Sequence, residues 1–173
     1  MEFLLNKELA SLLNRQINME WYSAYFYLDI CNYYTDQSLN GFGNWFRIQT
    51  QEERDHAMLF IQYLLNNNEK VVLQDVKAPD SVFKDYFEPA NATLKHEQEI
   101  TASINNIYAA AYEQKDFRTM QFLDWFVKEQ GEEEKNTEEI VKKCDLFGKD
   151  PRGLYLLDSE LATRVYTAPS LVI

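Results

Sequence analysis

The chain has 173 residues, 46% of them hydrophobic and 26% charged, with a formal net charge of −11. This is the size and composition of one globular domain that can bury its own core, and the acidic excess disfavours nucleic acid and anionic membranes, both of which need a basic patch. No apolar run reaches the ~18 residues of a membrane span and no signal peptide opens the sequence, so it reads as cytoplasmic, with no membrane partner.

Glycine and proline are scarce and act as punctuation: Gly41 and Gly43 near one turn, Pro79 in a second, Gly148 and Pro151 in a third. Between them lie long stretches of good helix formers, and no alternating strand pattern of useful length occurs. Four long helices and a short fifth are expected at about 5–34, 40–68, 82–114, 117–147 and 151–164. The first carries an apolar seam with steps of four and three, Leu13, Ile17, Glu20, Ala24, Tyr27, Cys31, in which Glu20 is the only charge. The second reads Phe42, Phe46, Gln49, Glu53, His56, Phe60, Tyr63. Asn66 to Lys70 end it with a cluster of asparagines, which favour caps and turns. The connection to about residue 81 is long for a helical bundle and, if extended, could run the length of a helix.

The third helix is expected to cap at Asp80 or Ser81, with Pro89 either kinking it or restarting it at a first helical position. Its seam is Ala90, Leu94, Glu97, Thr101, Ile104, Tyr108, Ala111. The fourth gives Leu123, Phe126, Gln130, Glu133, Thr137, Ile140, Cys144, Phe147. Each seam thus carries acidic or amide groups where only apolar ones belong. A buried carboxylate needs a cation, a proton or a dense hydrogen-bond network.

The levels agree as well. Glu20 and Glu53 are equidistant from the turn between the first two helices, and Glu97 and Glu133 are equidistant from the turn near Lys115-Asp116. In antiparallel hairpins equal distance from the turn means equal height, so all four sets can converge in mid-bundle. Glu53-x-x-His56 is the spacing with which helical bundles hold a metal pair. Alone it is common in any glutamate-rich helix; repeated intrusions at one height make a metal centre the better account. Four carboxylates and one imidazole suit iron or manganese and can also accept zinc.

The runs Met19-Glu20-Trp21-Tyr22-Ser23, Gln51-Glu52-Glu53-Arg54-Asp55-His56, Lys95-His96-Glu97-Gln98 and Glu129-Gln130-Gly131-Glu132-Glu133-Glu134-Lys135 resemble the bacterial non-haem ferritins, and Gly153–Leu161 resembles the start of their short fifth helix. The resemblance covers about residues 5–164. It implies an all-α, ferritin-like four-helix bundle of up-down-down-up topology with a long crossover and a short C-terminal fifth helix. It also implies a 24-subunit shell that oxidises Fe(II) with O2 or H2O2 and stores ferric mineral. By the same resemblance Glu20, Glu53 and His56 match a first iron site, and Glu53 bridges to a second with Glu97, against which Gln130 and Glu133 lie. Tyr27 matches an electron-donating tyrosine and Trp125 a nearby tryptophan. Glu52, Glu129, Glu132 and Glu133 match an extra inner-surface iron site. Gln130 and Glu133 stand where a symmetric di-iron oxygenase repeats Glu-x-x-His, which makes the second position weaker and more exchangeable. Bacterioferritins place a haem-ligating methionine directly after the bridging glutamate; Arg54 occupies that position, so no haem is expected by this route. The intrabundle set and the fifth helix count against the DNA-protecting mini-ferritins.

Other residues read more plainly. His96 points about 100° away from Glu97 on the helix and reads as a surface or interface histidine. Cys31 and Cys144 read as buried, inert thiols near one end of the bundle. The bundle is expected to occupy residues 1–164, followed by a tail, 165–173, too apolar for disorder and destined for the shell or another chain. The competing readings are a di-iron oxygenase or peroxidase of the same fold and a non-catalytic metal-binding bundle.

Overall fold

The computed structural model describes residues 5–173, so residues 1–4 of the expected bundle lie outside the described residues. The order is α1 (Lys7–Asp36), α2 (Asn40–Asn66), α3 (Glu88–Glu113), α4 (Phe117–Phe147) and α5 (Pro151–Leu161), with no strand among the described residues. α1 and α2 form one antiparallel hairpin, α3 and α4 a second, and the hairpins pack face to face into a four-helix bundle that α5 closes at one end.

Local chemistry sets the boundaries. The Asn6 side chain accepts from Glu8 N at 2.8 Å and caps α1. Asp116 does the same for α4, accepting from Thr119 N at 3.1 Å, and Asp150 for α5, accepting from Gly153 N at 2.9 Å. Three left-handed residues turn the chain, Ser38, Asn68 and Lys115, none of them glycine. Gly41 and Gly43 lie beside the first turn of the chain, at the start of α2, as expected. A side chain at Gly41 would place Cβ 1.6 Å from Asp158 O, so this glycine is what lets α5 lie on the start of α2. There Asp158 Oδ1 accepts from Phe42 N at 2.9 Å, a cap that α2 lacks on its own N-terminal side chain.

Pro89 decides between the two expectations for α3: the helix starts beside it, at Glu88, not at residues 80–82. The Asp85 carboxylate accepts from Phe87 N at 2.8 Å and Glu88 N at 2.9 Å, and Pro89, which has no N–H to satisfy, follows directly. The connection is correspondingly longer, and its hydrogen bonds trace its path. Asn14 Nδ2 donates to Lys70 O at 3.1 Å and Asn18 Nδ2 to Asp75 O at 3.1 Å, near the start of α1. Tyr33 OH donates to Asp85 O at 3.0 Å and Tyr34 OH to Tyr86 O at 2.7 Å, near its end. The connection therefore crosses the bundle along α1, α3 runs parallel to α2, and the topology is up-down-down-up.

One seam is rotated. On α3 the fully buried residues include Thr93, Ile100 and Ile107, whereas Leu94, Thr101 and Tyr108 are only half-buried. Isoleucine loses nothing by full burial; the tyrosine hydroxyl needs a partner and finds Asp124 Oδ1 at 2.9 Å near the surface. Phe147, expected at the end of the α4 seam, is exposed. The core falls into two apolar clusters. One holds Leu13, Ile17, Phe60, Ile104 and Phe126, the other Tyr27, Ile30, Tyr34, Phe46, Ile140 and both free cysteines, Cys31 and Cys144, which are buried as expected. Along every long helix a polar layer separates them.

Candidate metal centre

The polar layer contains Glu20 of α1, Glu53 and His56 of α2, Glu97 of α3, and Gln130 and Glu133 of α4, all buried. One ligand atom from each of Glu20, Glu53 and His56 lies within 4.8 Å of the other two. His56 Nδ1 is 3.6 Å from Glu53 Oε2 and 4.0 Å from Glu20 Oε2. Glu20 Oε1 accepts from Gln16 Nε2 at 2.7 Å, and Ser103 Oγ donates to Gln16 Oε1 at 2.6 Å, which orients the amide. Glu20 Oε2, buried among these groups, has no hydrogen-bond partner. A free carboxylate lone pair aimed at a second carboxylate and an imidazole suits a divalent cation and is costly without one.

The α3/α4 side is built differently. Glu97 accepts from Tyr27 OH on one oxygen and from Gln130 Nε2 at 3.0 Å on the other. Glu133 Oε2 accepts from Gln49 Nε2 at 2.9 Å. Burial pushes the carboxyls of Glu20, Glu53 and Glu97 up, and neighbouring carboxylates push Glu20 and Glu53 further. Burial and the nearby Glu97 push Glu133 up to about 8. Tyr27 is held well above the usual phenol range by burial and by Glu97, so it stays protonated and donates.

The remaining expected residues divide. Glu52 and Glu129 flank the layer on the α2/α4 face, partly covered, with Glu129 Oε1 3.9 Å from His56 Nε2, and burial raises both carboxyls. Glu132, expected with them at the inner-surface position, is exposed and pairs with Lys128 at 3.7 Å. Trp125 lies edge-on to the His56 ring, with centroids 5.6 Å apart. His96, expected at the surface or an interface, is half-buried and engaged. It is bonded to Ser23 Oγ at 2.8 Å and packed among Tyr22, Phe26 and Tyr27, and burial lowers its pKa to about 4. The rotation of about 100° away from Glu97 sets it in the α1–α3 groove.

The sequence reading missed Gln16, Ser103 and Arg164, and gave Gln49 no role. Gln16 could have been found, because it precedes Glu20 by one helical turn and faces the same seam; Arg164 carried no local signal.

A buried carboxylate–imidazole layer inside an up-down-down-up bundle with a fifth helix defines a ferritin-like protein. The chain belongs to that family: the ferritin-like domain model matches residues 10–147. It is 42% identical over 155 residues to a bacterial non-haem ferritin of Campylobacter jejuni, covering 90% of this chain and 93% of that one. It is 34% identical over 163 residues to the bacterial non-haem ferritin of Staphylococcus epidermidis, covering 94% and 98%. Among solved structures, a closed form of the Archaeoglobus fulgidus ferritin engineered by site-directed mutagenesis superposes with a TM-score of 0.92 at 39% identity, covering 94% of this chain and 99% of that one. The open-pore ferritin of the same archaeon gives 0.91 at 39% identity, covering 93% and 98%. Among the described residues no helix is long and apolar enough to cross a membrane.

Proposed function

We propose that this chain is the subunit of a cytoplasmic iron-storage cage of 24 copies that oxidises Fe(II) before depositing it. The domain is the bundle of residues 1–164, and residues 165–173 form a tail upon it. The observation that carries the reading is the meeting of Glu20, Glu53 and His56 ligand atoms within 4.8 Å in the buried middle of the bundle. Fe(II) is the substrate. Glu20, Glu53 and His56 bind one ion; Glu53 is shared with a second ion taken by Glu97 and Glu133, with Gln130 beside it.

The carboxylates do the chemical work. Negative oxygen ligands in a dry site stabilise Fe(III) more than Fe(II), which lowers the potential at which each ion gives up its electron. Two ions side by side together deliver two electrons, reducing O2 with two protons to H2O2, or H2O2 with two protons to water. Tyr27, hydrogen-bonded to Glu97, is placed to supply a further electron. Gln130 is neutral where a carboxylate would add charge, so the product ion on that side is held less firmly and passes on to the store. Glu52 and Glu129 lie on its way along the α2/α4 face, and the family likeness supports an additional iron position there. The absence of a second Glu-x-x-His on α4 argues against an oxygenase, in which both metals stay as permanent cofactors.

The test mixes Fe(II) aerobically with purified protein, wild type beside Glu53→Ala, following ferric absorbance and particle size together. Fast oxidation by a cage-sized particle, slowed at least about a hundredfold in the variant, is expected, since even changes outside the ligand sphere cost 10–100-fold. Equal slow oxidation in both, or a small particle that retains no iron, would sink the proposal.

A further inference from the structure

Beyond α5 the chain turns back along the face formed by α2 and α4 and is held there by side chains. Asn44 Nδ2 donates to Arg164 O at 3.1 Å. Tyr166 OH donates to Asp55. Trp125 Nε1 donates to Ser170 Oγ at 3.0 Å, and Leu171 packs against the apolar cluster on which Trp125 also lies. The apolar tail thus covers its own bundle, and the contacts run in order down α2 and across to α4.

Arg164 is the most firmly engaged residue of the segment. One guanidinium nitrogen donates to Glu52 Oε2 at 2.6 Å and another to Trp45 O at 3.2 Å, while the guanidinium carbon lies 4.4 Å from the centre of the Trp45 ring. Charge-assisted hydrogen bonding, carbonyl contact and ring stacking together fix this guanidinium. Glu52 is partly covered by the contact, with its side chain 17% exposed. A carboxylate occupied by a guanidinium has less to offer a metal ion. A dication arriving at Glu52 also meets a fixed positive charge within a few ångströms.

We propose that Arg164 is the resident counter-cation of Glu52, and that the carboxylates of the α2/α4 face take a metal ion only as residues 164–171 leave that face. Arg164 is therefore a determinant of metal occupancy at Glu52 and Glu129. This rests on the reading, given above, that those two glutamates bind iron on its way inward. Loading the face exchanges one cation for another: Glu52 gives up its bond to Arg164, and the Asp55–Tyr166 and Ser170–Trp125 bonds open with it. Two of the three tryptophans, Trp45 and Trp125, touch the segment, so the exchange has its own optical signature. The Trp125 ring that holds Ser170 is also the one set edge-on to His56. Loading of the face is thereby sensed beside the central ligands.

The experiment uses the assembled, full-length protein and Zn(II), a redox-inert probe, in place of iron. Calorimetric titration gives the binding classes, and carboxypeptidase digestion with tryptophan emission reports whether the tail is docked. In the wild type the tail should resist digestion without metal and lose that protection as the weaker Zn(II) class fills. Arg164→Gln should bind that class about tenfold tighter, the worth of one lost charge-assisted bond, with the tail already released. Arg164→Lys should lie between. Glu52→Gln should remove the class in any background. If Glu52→Gln leaves every Zn(II) class intact, the metal reading of Glu52 fails. If Glu52→Gln removes the class but Arg164→Gln binds it unchanged, and the tail is digested equally with and without Zn(II), the metal reading stands and the counter-cation proposal is overturned.

Discussion

Both sides of the polar layer carry buried carboxylates, but one adds an imidazole and the other an amide, and they differ in what their oxygens already hold. On the α1/α2 side Glu20 keeps one oxygen without a partner, facing Glu53 and His56. On the α3/α4 side both oxygens of Glu97 and one of Glu133 accept from Tyr27, Gln130 and Gln49. An ion entering the first side meets open lone pairs; one entering the second must displace hydrogen bonds whose donors then need new partners. Geometry, and not ligand count alone, thus ranks the two positions.

Breaking the strong side should have the largest effect. His56→Ala is expected to weaken the tightest Zn(II) class by about a hundredfold or more, whereas Glu133→Ala should leave that class within a few-fold and remove a weaker one. Equal losses in calorimetry would mean that the two positions fill as one unit. The sides can also be made alike. The double variant Gln130→Glu with Glu133→His writes a second Glu-x-x-His onto α4, and the weaker position should gain about tenfold in affinity and retain Zn(II) through dialysis. Failure to retain more metal than wild type would show that Tyr27 and Gln49, and not the α4 ligands, set the weakness.

A smaller effect concerns pH. The metal-free layer holds carboxyls whose folded-state values are raised, Glu133 from its ordinary 4.5 to about 8. Between those values the folded chain binds a proton that the unfolded chain has released, so stability falls as pH rises through this window and levels off above it. Thermal unfolding of the metal-free protein should therefore show Tm dropping from pH 5 to 8. Saturating Zn(II), which binds the ionised carboxylates, should flatten or reverse the slope. A metal-free Tm that climbs over this range would contradict the raised carboxyls.

The layer was legible because a charge in an apolar seam is a local anomaly that can be counted, and its height follows from distance to a turn. Glu20, Glu53, Glu97 and Glu133 follow that rule and lie in one buried layer, in which ligand atoms of Glu20, Glu53 and His56 come within 4.8 Å of one another. Where the rule had nothing to count, the reading failed. The rotation of α3 that favours Ile100 over Thr101 depends on which neighbours it packs against, and a stripe of steps four and three has two equally regular solutions. The start of α3 turned on whether Pro89 bends or begins a helix, settled by Asp85, which caps only because the preceding chain arrives from across the bundle. His96 and Arg164 were placed by partners distant in sequence, Ser23 and Glu52, that no periodicity links to them.

The cap that Asp158 supplies to Phe42 N joins residues 116 apart in sequence, over the one glycine that permits the approach. During synthesis, α2 is complete long before the residue that finishes its first turn has left the ribosome. Its leading end must stay frayed until α5 emerges and docks. The last helix therefore acts as a completion signal: a chain that stops short of Asp158 carries a second helix whose first turn is unlatched.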